Sequence, residues 1–221
     1  MLTRSALARH LVDESQLRQR LERDYVRTGI DAFDAACQGI ARGTLTGIWG
    51  PVSSGKATFL HNLLAVGTES GECCALIDAG DSFDPATAER AGADLSRLLW
   101  VRCRTAEQAL KAADLLIHSG GWGIVAIDLT LLPVRLVQRI PMSWWYRFRR
   151  AVEHTPTAMV VLESEATVKN AAAVMMEFLP LHPTWAGAHH RFRILEGAAV
   201  QIRQRKPVGS QPVLFSAEAT A

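Results

Sequence analysis

The residues whose types and spacing could do chemistry are Gly50-Pro51-Val52-Ser53-Ser54-Gly55-Lys56-Ala57-Thr58. An apolar run, Leu45 to Trp49, precedes them, and a helical pattern from Lys56 to about Val66 follows. Strand, glycine loop and helix in that order are the setting in which G-x-x-x-x-G-K-[ST] cradles nucleotide phosphates. The glycines let the loop wrap with its N–H groups inward, and the helix N-terminus adds partial positive charge. Gly50, Ser53, Ser54, Gly55, Lys56, Ala57 and Thr58 are therefore the candidate residues for ATP or ADP, with Lys56 reaching the β- and γ-phosphates. Ala57 breaks the pattern, because Ser or Thr there would give a hydroxyl to Mg²⁺. The metal is accordingly expected to be held weakly or not at all. Chance alone yields G-x-x-x-x-G-K in about one chain of this length in fifteen, so the flanking strand and helix carry the reading.

Other groups are less sharply marked. Asp128 ends an apolar run, Ile124 to Asp128, and could hold a Mg²⁺-bound water or simply cap the turn that follows. Asp78 and Asp81 lie near the same sheet edge without a defined spacing. The stretch from Thr130 to Arg150 holds five arginines (Arg135, Arg139, Arg147, Arg149 and Arg150) and no acid, interleaved with Trp144, Trp145, Tyr146 and Phe148. Arginine for phosphates and aromatics for bases would suit single-stranded DNA. On a helix, however, Trp144, Trp145 and Phe148 share a face, which suits a core or an interface equally well. Arg203, Arg205 and Lys206 form a second candidate phosphate patch or a solvated strand end. His182, His189 and His190 have no acid or cysteine at metal-ligand spacing.

The elements that must position these groups alternate. Apolar runs at Leu45–Trp49, Cys73–Asp78, Leu98–Val101, Ile124–Asp128 and Ala158–Glu163 read as strands buried on both faces. Helical patterns at Lys56–Val66, Thr105–His118 and Met142–Glu153 fall between them, implying a mostly parallel twisted sheet flanked by helices. Residues 1–25 have a helical period and read as an N-terminal arm, docked on its own domain or on a neighbouring chain; residues 26–221 form the core domain. From about residue 185 the pattern turns to alternating runs, a short β-rich end with turns at Gly197 and at 207–210. Cys73 and Cys74 read as reduced core thiols. A chain of 221 residues, 48% hydrophobic and 21% charged, has no apolar run long enough for a membrane span and no signal-peptide pattern, so a cytoplasmic location without membrane contact is expected. The net charge of +2 is small but unevenly placed: Thr68 to Asp94 holds seven acids and one base.

These residues resemble the RecA family from about Val26 to Arg205. Thr28-Gly29-Ile30-Asp31 with Phe33-Asp34 looks like its entry segment, and Gly43 to Pro51 leads into its P-loop. Ala75-Leu76-Ile77-Asp78-Ala79 followed by Phe83-Asp84-Pro85 is similar to the segment that holds the family's catalytic glutamate. Gly123 to Asp128 resembles its Walker B strand. The resemblance implies a RecA-type core, with telling departures. Gly80 stands at the glutamate, Ala57 at the Mg²⁺ hydroxyl, and Leu162-Glu163-Ser164 where a glutamine senses the γ-phosphate. A missing general base costs roughly 10²- to 10⁴-fold in rate, whereas a lost Mg²⁺ ligand can be replaced by water, so binding can outlive hydrolysis.

A short RecA-like chain altered in this way is similar to the ImuA family of accessory proteins in bacterial damage-induced mutagenesis. That resemblance implies a non-catalytic or weakly catalytic adaptor, nucleoid-associated. Its partners would be RecA, an inactive Y-family polymerase-like mutasome subunit and an error-prone replicative-type polymerase, with DNA contact and homo-oligomerisation left open. Two rivals stand beside it: a working RecA-type ATPase or recombinase paralogue, and a SulA-like division inhibitor, against which Lys56 counts because that family lacks a P-loop lysine.

Overall fold

The computed structural model describes residues 24–186, 194–207 and 211–218. Strand β1 (Tyr25–Val26) pairs antiparallel with β2 (Ile40–Ala41), and helix α1 (Asp31–Cys37) lies between them. The Thr28-Gly29-Ile30 approach to α1 is fixed by Asp34. Its carboxylate accepts the Thr28 N–H at 2.9 and 3.1 Å and the Thr28 hydroxyl at 2.9 Å. Phe33 then meets Phe59 edge-on at 5.2 Å, locking this ribbon to the helix that follows the glycine loop.

The main sheet contains β3 (Thr44–Trp49), β4 (Cys74–Asp78), β5 (Leu98–Arg102), β6 (Ile124–Asp128), β7 (Ala158–Glu163), β8 (Val174–Ala186), β9 (Ile194–Lys206) and β10 (Val213–Glu218). Their order is β10-β9-β8-β3-β7-β6-β4-β5, with every pairing from β8 to β5 parallel and the two outermost at the β10 end antiparallel. This is the mostly parallel, helix-flanked sheet expected of a RecA-type α/β core. Alternate strand residues feed two cores. On one face α2 (Lys56–Glu69) buries Phe59, Leu60, Leu63 and Leu64 against Ile48, Leu76, Ala126 and Val160. On the other, α4 (Ala106–Ser119) and α6 (Met142–Val152) bury Ala109, Leu110, Trp145 and Phe148 against Leu45, Ile77, Val125 and Val161. Two short helices, α3 (Pro85–Arg90) and α5 (Val134–Val137), occupy stretches with too few residues to show a helical period.

Several expectations need correction. The strands of the carboxy-terminal end begin at Val174 rather than near 185, because β8 pairs in parallel with the central strand β3 before turning outward as a hairpin with β9. Gly197 is not a turn. It lies inside β9, paired with Thr184 on one side and Glu218 on the other. Strand β5 is the edge of the sheet and stays partly open, with Leu99 43% exposed, so it is not buried on both faces. Cys74 is buried but Cys73, one residue before the strand, is exposed and no core thiol. Of the predicted helical arm, residues 1–25, the first 23 lie outside the described residues and Tyr25 belongs to strand β1; His189, His190 and Arg191 also lie outside the described residues.

Candidate functional site

Strand β3 ends at Trp49 in the middle of the sheet, and the loop to α2 crosses the carboxyl edge of the parallel strands, the edge at which α/β sheets bind ligands. Gly50 lies directly against β8: a Cβ there would come within 2.2 Å of the Phe178 carbonyl oxygen. Ser53 (φ 64°) and Gly55 (φ 85°) are left-handed, which turns the loop back on itself and makes Gly55 the N-cap of α2. Gly55 in turn faces β9 and β10, where a Cβ would lie 2.6 Å from Val200 Cγ2 and 3.3 Å from Phe215 Cζ. The first-turn N–H groups of a fourteen-residue helix are left for a ligand, with the positive end of its dipole behind them.

Lys56 does not extend from this loop as expected. Its Nζ donates to the carbonyls of Gly50 (2.5 Å) and Pro51 (2.7 Å) and to Ser54 Oγ (3.1 Å), so all three ammonium protons are spent within the loop. Lys56 is 4% exposed, and burial pulls its pKa down to about 8 against the opposing charge of Asp128. A phosphate must draw this side chain off its carbonyls before it can pair with it.

The loop opens on a cavity of about 290 Å³. Residues 52–58 form its floor, so of the candidate residues Ser53, Ser54, Gly55, Lys56, Ala57 and Thr58 line one cavity, whereas Gly50 does not. Ser82, Asp128 and Thr130 make one wall, while Leu195, Ala198, Val200 and Ala217 make the other. Asp128 caps its turn through the Thr130 N–H (2.8 Å), faces Ser82 Oγ at 3.5 Å, and has its pKa raised by burial. The oxygen groups that line this cavity are the Asp128 carboxylate and the hydroxyls of Ser53, Ser54, Thr58, Ser82 and Thr130, while position 57 offers only a methyl group where the motif calls for a hydroxyl.

Position 80, where the resemblance would put a general base, is covered. A Cβ on Gly80 would lie 2.7 Å from Leu131 Cβ and 3.3 Å from Leu131 Cγ, so leucine covers the position. At the end of β7, Leu162 lines the cavity while Glu163 turns to the opposite side and is fully buried. Its carboxylate accepts the N–H groups of Thr167 (2.8 Å) and Val168 (3.3 Å) and the Thr167 hydroxyl. Burial still raises its pKa to about 7. Leu131, Leu195, Ala198, Val200 and Ala217 were not legible as site residues, because only tertiary packing brings these strands and this turn to the loop.

The basic candidates are spread out. Arg135 lies in α5 and Arg139 just after it; Arg147, Arg149 and Arg150 lie along α6, and Arg149 ends beside Arg42 and Thr44. Arg147 is committed to Asp114 (2.6 Å) and stacks over Trp144 at 5.5 Å. Arg205 is paired with Glu177, Arg203 donates to Gln201 at 2.8 Å, and Lys206 donates to the carbonyls of Asn170 (3.1 Å) and Ala172 (2.5 Å). Arg135, Arg139, Arg149 and Arg150 are exposed and form no ion pair with another described residue. Trp145 and Phe148 are fully buried, so the aromatic face of α6 belongs to the core.

A mostly parallel sheet with a glycine loop running from its central strand into a helix N-terminus defines a P-loop protein. The RecA N-terminal domain family matches residues 11–136, and the chain belongs to that family. It is 42% identical over 107 residues to Protein RecA of Methylococcus capsulatus, covering 48% of this chain and 31% of that protein. Protein RecA of Rickettsia massiliae is 40% identical over 113 residues (50% and 33%), and that of Chloroflexus aurantiacus 38% over 111 residues (49% and 32%). The chain spans about a third of the length of these curated relatives. Strands β7 to β10 and helix α6 lie beyond the matched residues. Among the described residues no helix is long and apolar enough to cross a membrane.

Proposed function

We propose that this chain is a RecA-like adaptor of damage-induced mutagenesis, ImuA-like, that binds a nucleotide without hydrolysing it at a useful rate. The observation that carries the reading is a glycine–lysine loop on the floor of a cavity, with Leu131 packed over Gly80, where the resemblance would put a general base. A phosphate-binding floor with nothing to activate water suits a binding or signalling role. In this reading ADP or ATP sits on residues 53–58, Mg²⁺ contributes little, and RecA or the mutasome polymerase subunits are the partners. Homo-oligomerisation and cytoplasmic, nucleoid-associated location go with the same reading. DNA would be met by Arg135, Arg139, Arg149 and Arg150, whose guanidinium groups are not committed to described carboxylates.

Affinity purification from DNA-damaged cells tests the adaptor role; the reading expects RecA or mutagenic polymerase subunits among the captured proteins. Phosphate release by the purified chain, with and without single-stranded DNA, tests the rival ATPase. Turnover at a rate typical of working ATPases and abolished by Lys56→Ala would overturn the adaptor in favour of the enzyme.

A further inference from the structure

We propose that a second cavity, under the β1–β2 ribbon and apart from the phosphate loop, binds a small uncharged molecule with an apolar body and one hydroxyl, a phenol or cyclic alcohol of about six to eight non-hydrogen atoms. The inference stands independently of the nucleotide reading. The cavity measures about 140 Å³ and is walled by Ile40 and Ala41 of the ribbon and by Val174 and Met176 of β8. Thr46 of β3 also lines it. Strand β3 is laddered on both sides at this residue, to Val160 of β7 and Val174 of β8, so the side chain is what reaches the cavity. Thr46 is 0% exposed, and its Oγ1 has no hydrogen-bond partner among the described residues. A hydroxyl buried in this way is normally met by protein, water or a ligand.

The other polar groups beside it are engaged. The Cys37 thiol donates to Gln204 Oε1 at 3.9 Å, and Gln204 Nε2 donates to the Pro207 carbonyl at 3.2 Å. Burial raises the Cys37 pKa, with the charge of Asp34 adding to it, so the thiol keeps the proton it donates. No lining residue carries a charge, which excludes an ion, because a buried charge needs a partner. Water fits the walls poorly. Filling this volume would take about four or five molecules, each seeking two to four hydrogen bonds from largely aliphatic surroundings. An apolar cavity of about 150 Å³ takes up benzene instead. A molecule of that bulk with one hydroxyl fills the apolar space and completes Thr46.

Phenol, benzene and benzoate test the proposal on the full chain, since they share a ring and differ in hydroxyl and charge. The readout is alkylation of individual cysteines by N-ethylmaleimide, followed by peptide mass spectrometry. Cys37 lines the cavity, whereas Cys73 is exposed and outside it, an internal control. Phenol is expected to slow alkylation of Cys37 and leave Cys73 unchanged, to bind about fivefold more tightly than benzene through its one extra hydrogen bond, and to protect where benzoate does not. Thr46→Val keeps the shape and removes the hydroxyl, so phenol should then bind no better than benzene. Ala41→Leu fills the cavity from the ribbon and should abolish protection by both. The proposal fails if phenol leaves Cys37 alkylation unchanged, the result expected of a cavity that holds only water. It fails equally if phenol protects Cys73 as well, if benzoate protects Cys37 like phenol, or if Thr46→Val binds phenol like the parent.

Discussion

Restoring a carboxylate at position 80 is the obvious way to seek a hidden ATPase, and packing predicts that it fails. Any side chain at Gly80 begins with a Cβ 2.7 Å from Leu131 Cβ, a separation that folded proteins essentially never show. The obstructing atom is the first carbon of Leu131, which moves only with its backbone. That backbone is pinned, because Asp128 accepts the Thr130 N–H at 2.8 Å and the Leu132 N–H donates to Leu129 O at 3.1 Å. Overpacking of this kind costs about 1–3 kcal/mol. At a urea slope of about 2 kcal/mol/M, a loss near 2 kcal/mol lowers the unfolding midpoint by about 1 M. Gly80→Ala isolates this steric effect, since alanine adds nothing but the Cβ. Leu131→Gly in the same chain should return most of the loss, giving a coupling of at least about 1 kcal/mol in a double-mutant cycle. Gly80→Glu should be no more stable than Gly80→Ala and should not release phosphate from ATP. Gly80→Ala with a parental urea midpoint would refute the reasoning, and so would additive effects of the two substitutions.

Three further outcomes are expected. Lys56 has its pKa lowered in the fold, so the unfolded chain binds more protons between about pH 8 and pH 10 and this group makes stability rise with pH there; Lys56→Met should flatten that rise in urea midpoints taken at pH 7.5 and 10. Glu163 is shifted the other way, to about 7, so its contribution is present at acid pH and lost as pH climbs from about 4.5 through 7; Glu163→Gln should narrow the gap between midpoints at pH 5 and 8, and an unchanged gap would count against it. In gel retardation at low salt, Arg149→Ala with Arg150→Ala should weaken single-stranded DNA binding and reduce the log–log salt slope by about 1 to 2, whereas Arg147→Ala should act mainly on stability through Asp114.

The parallel half of the sheet was legible because its strands are short continuous apolar runs, and helix α6 because Trp145 and Phe148 recur on one face. The loop itself was equally plain, since glycine and lysine at fixed spacing after a strand leave few alternatives. What escaped notice was tertiary. Strand β8 was not read at all before about residue 185; it carries Pro180 and Pro183, which bracket an irregularity in its pairing with β9 and so leave the strand intact. Gly197 looked like punctuation and proved to be a central-strand residue with neighbours on both sides. The inward turn of Lys56 depends on the loop's own carbonyls and on burial by later strands, which no motif encodes. In the same way, the sequence shows that Gly80 lacks a side chain but not that Leu131 occupies the space.

The cradle around the phosphate loop is closed by residues that are synthesised well after it. Gly50 rests on the backbone of Phe178, and Gly55 on Val200 and Phe215, so the loop finds its support only when strands β8 to β10, more than a hundred residues further on, have paired. As the chain emerges from the ribosome, the loop and α2 must wait for those strands, and the contacts that shape the loop are among the longest in sequence. Folding of the binding site is therefore a late event tied to the β8–β10 end. A shortened chain that stopped after α6 would keep the motif while losing the surface that gives it its shape.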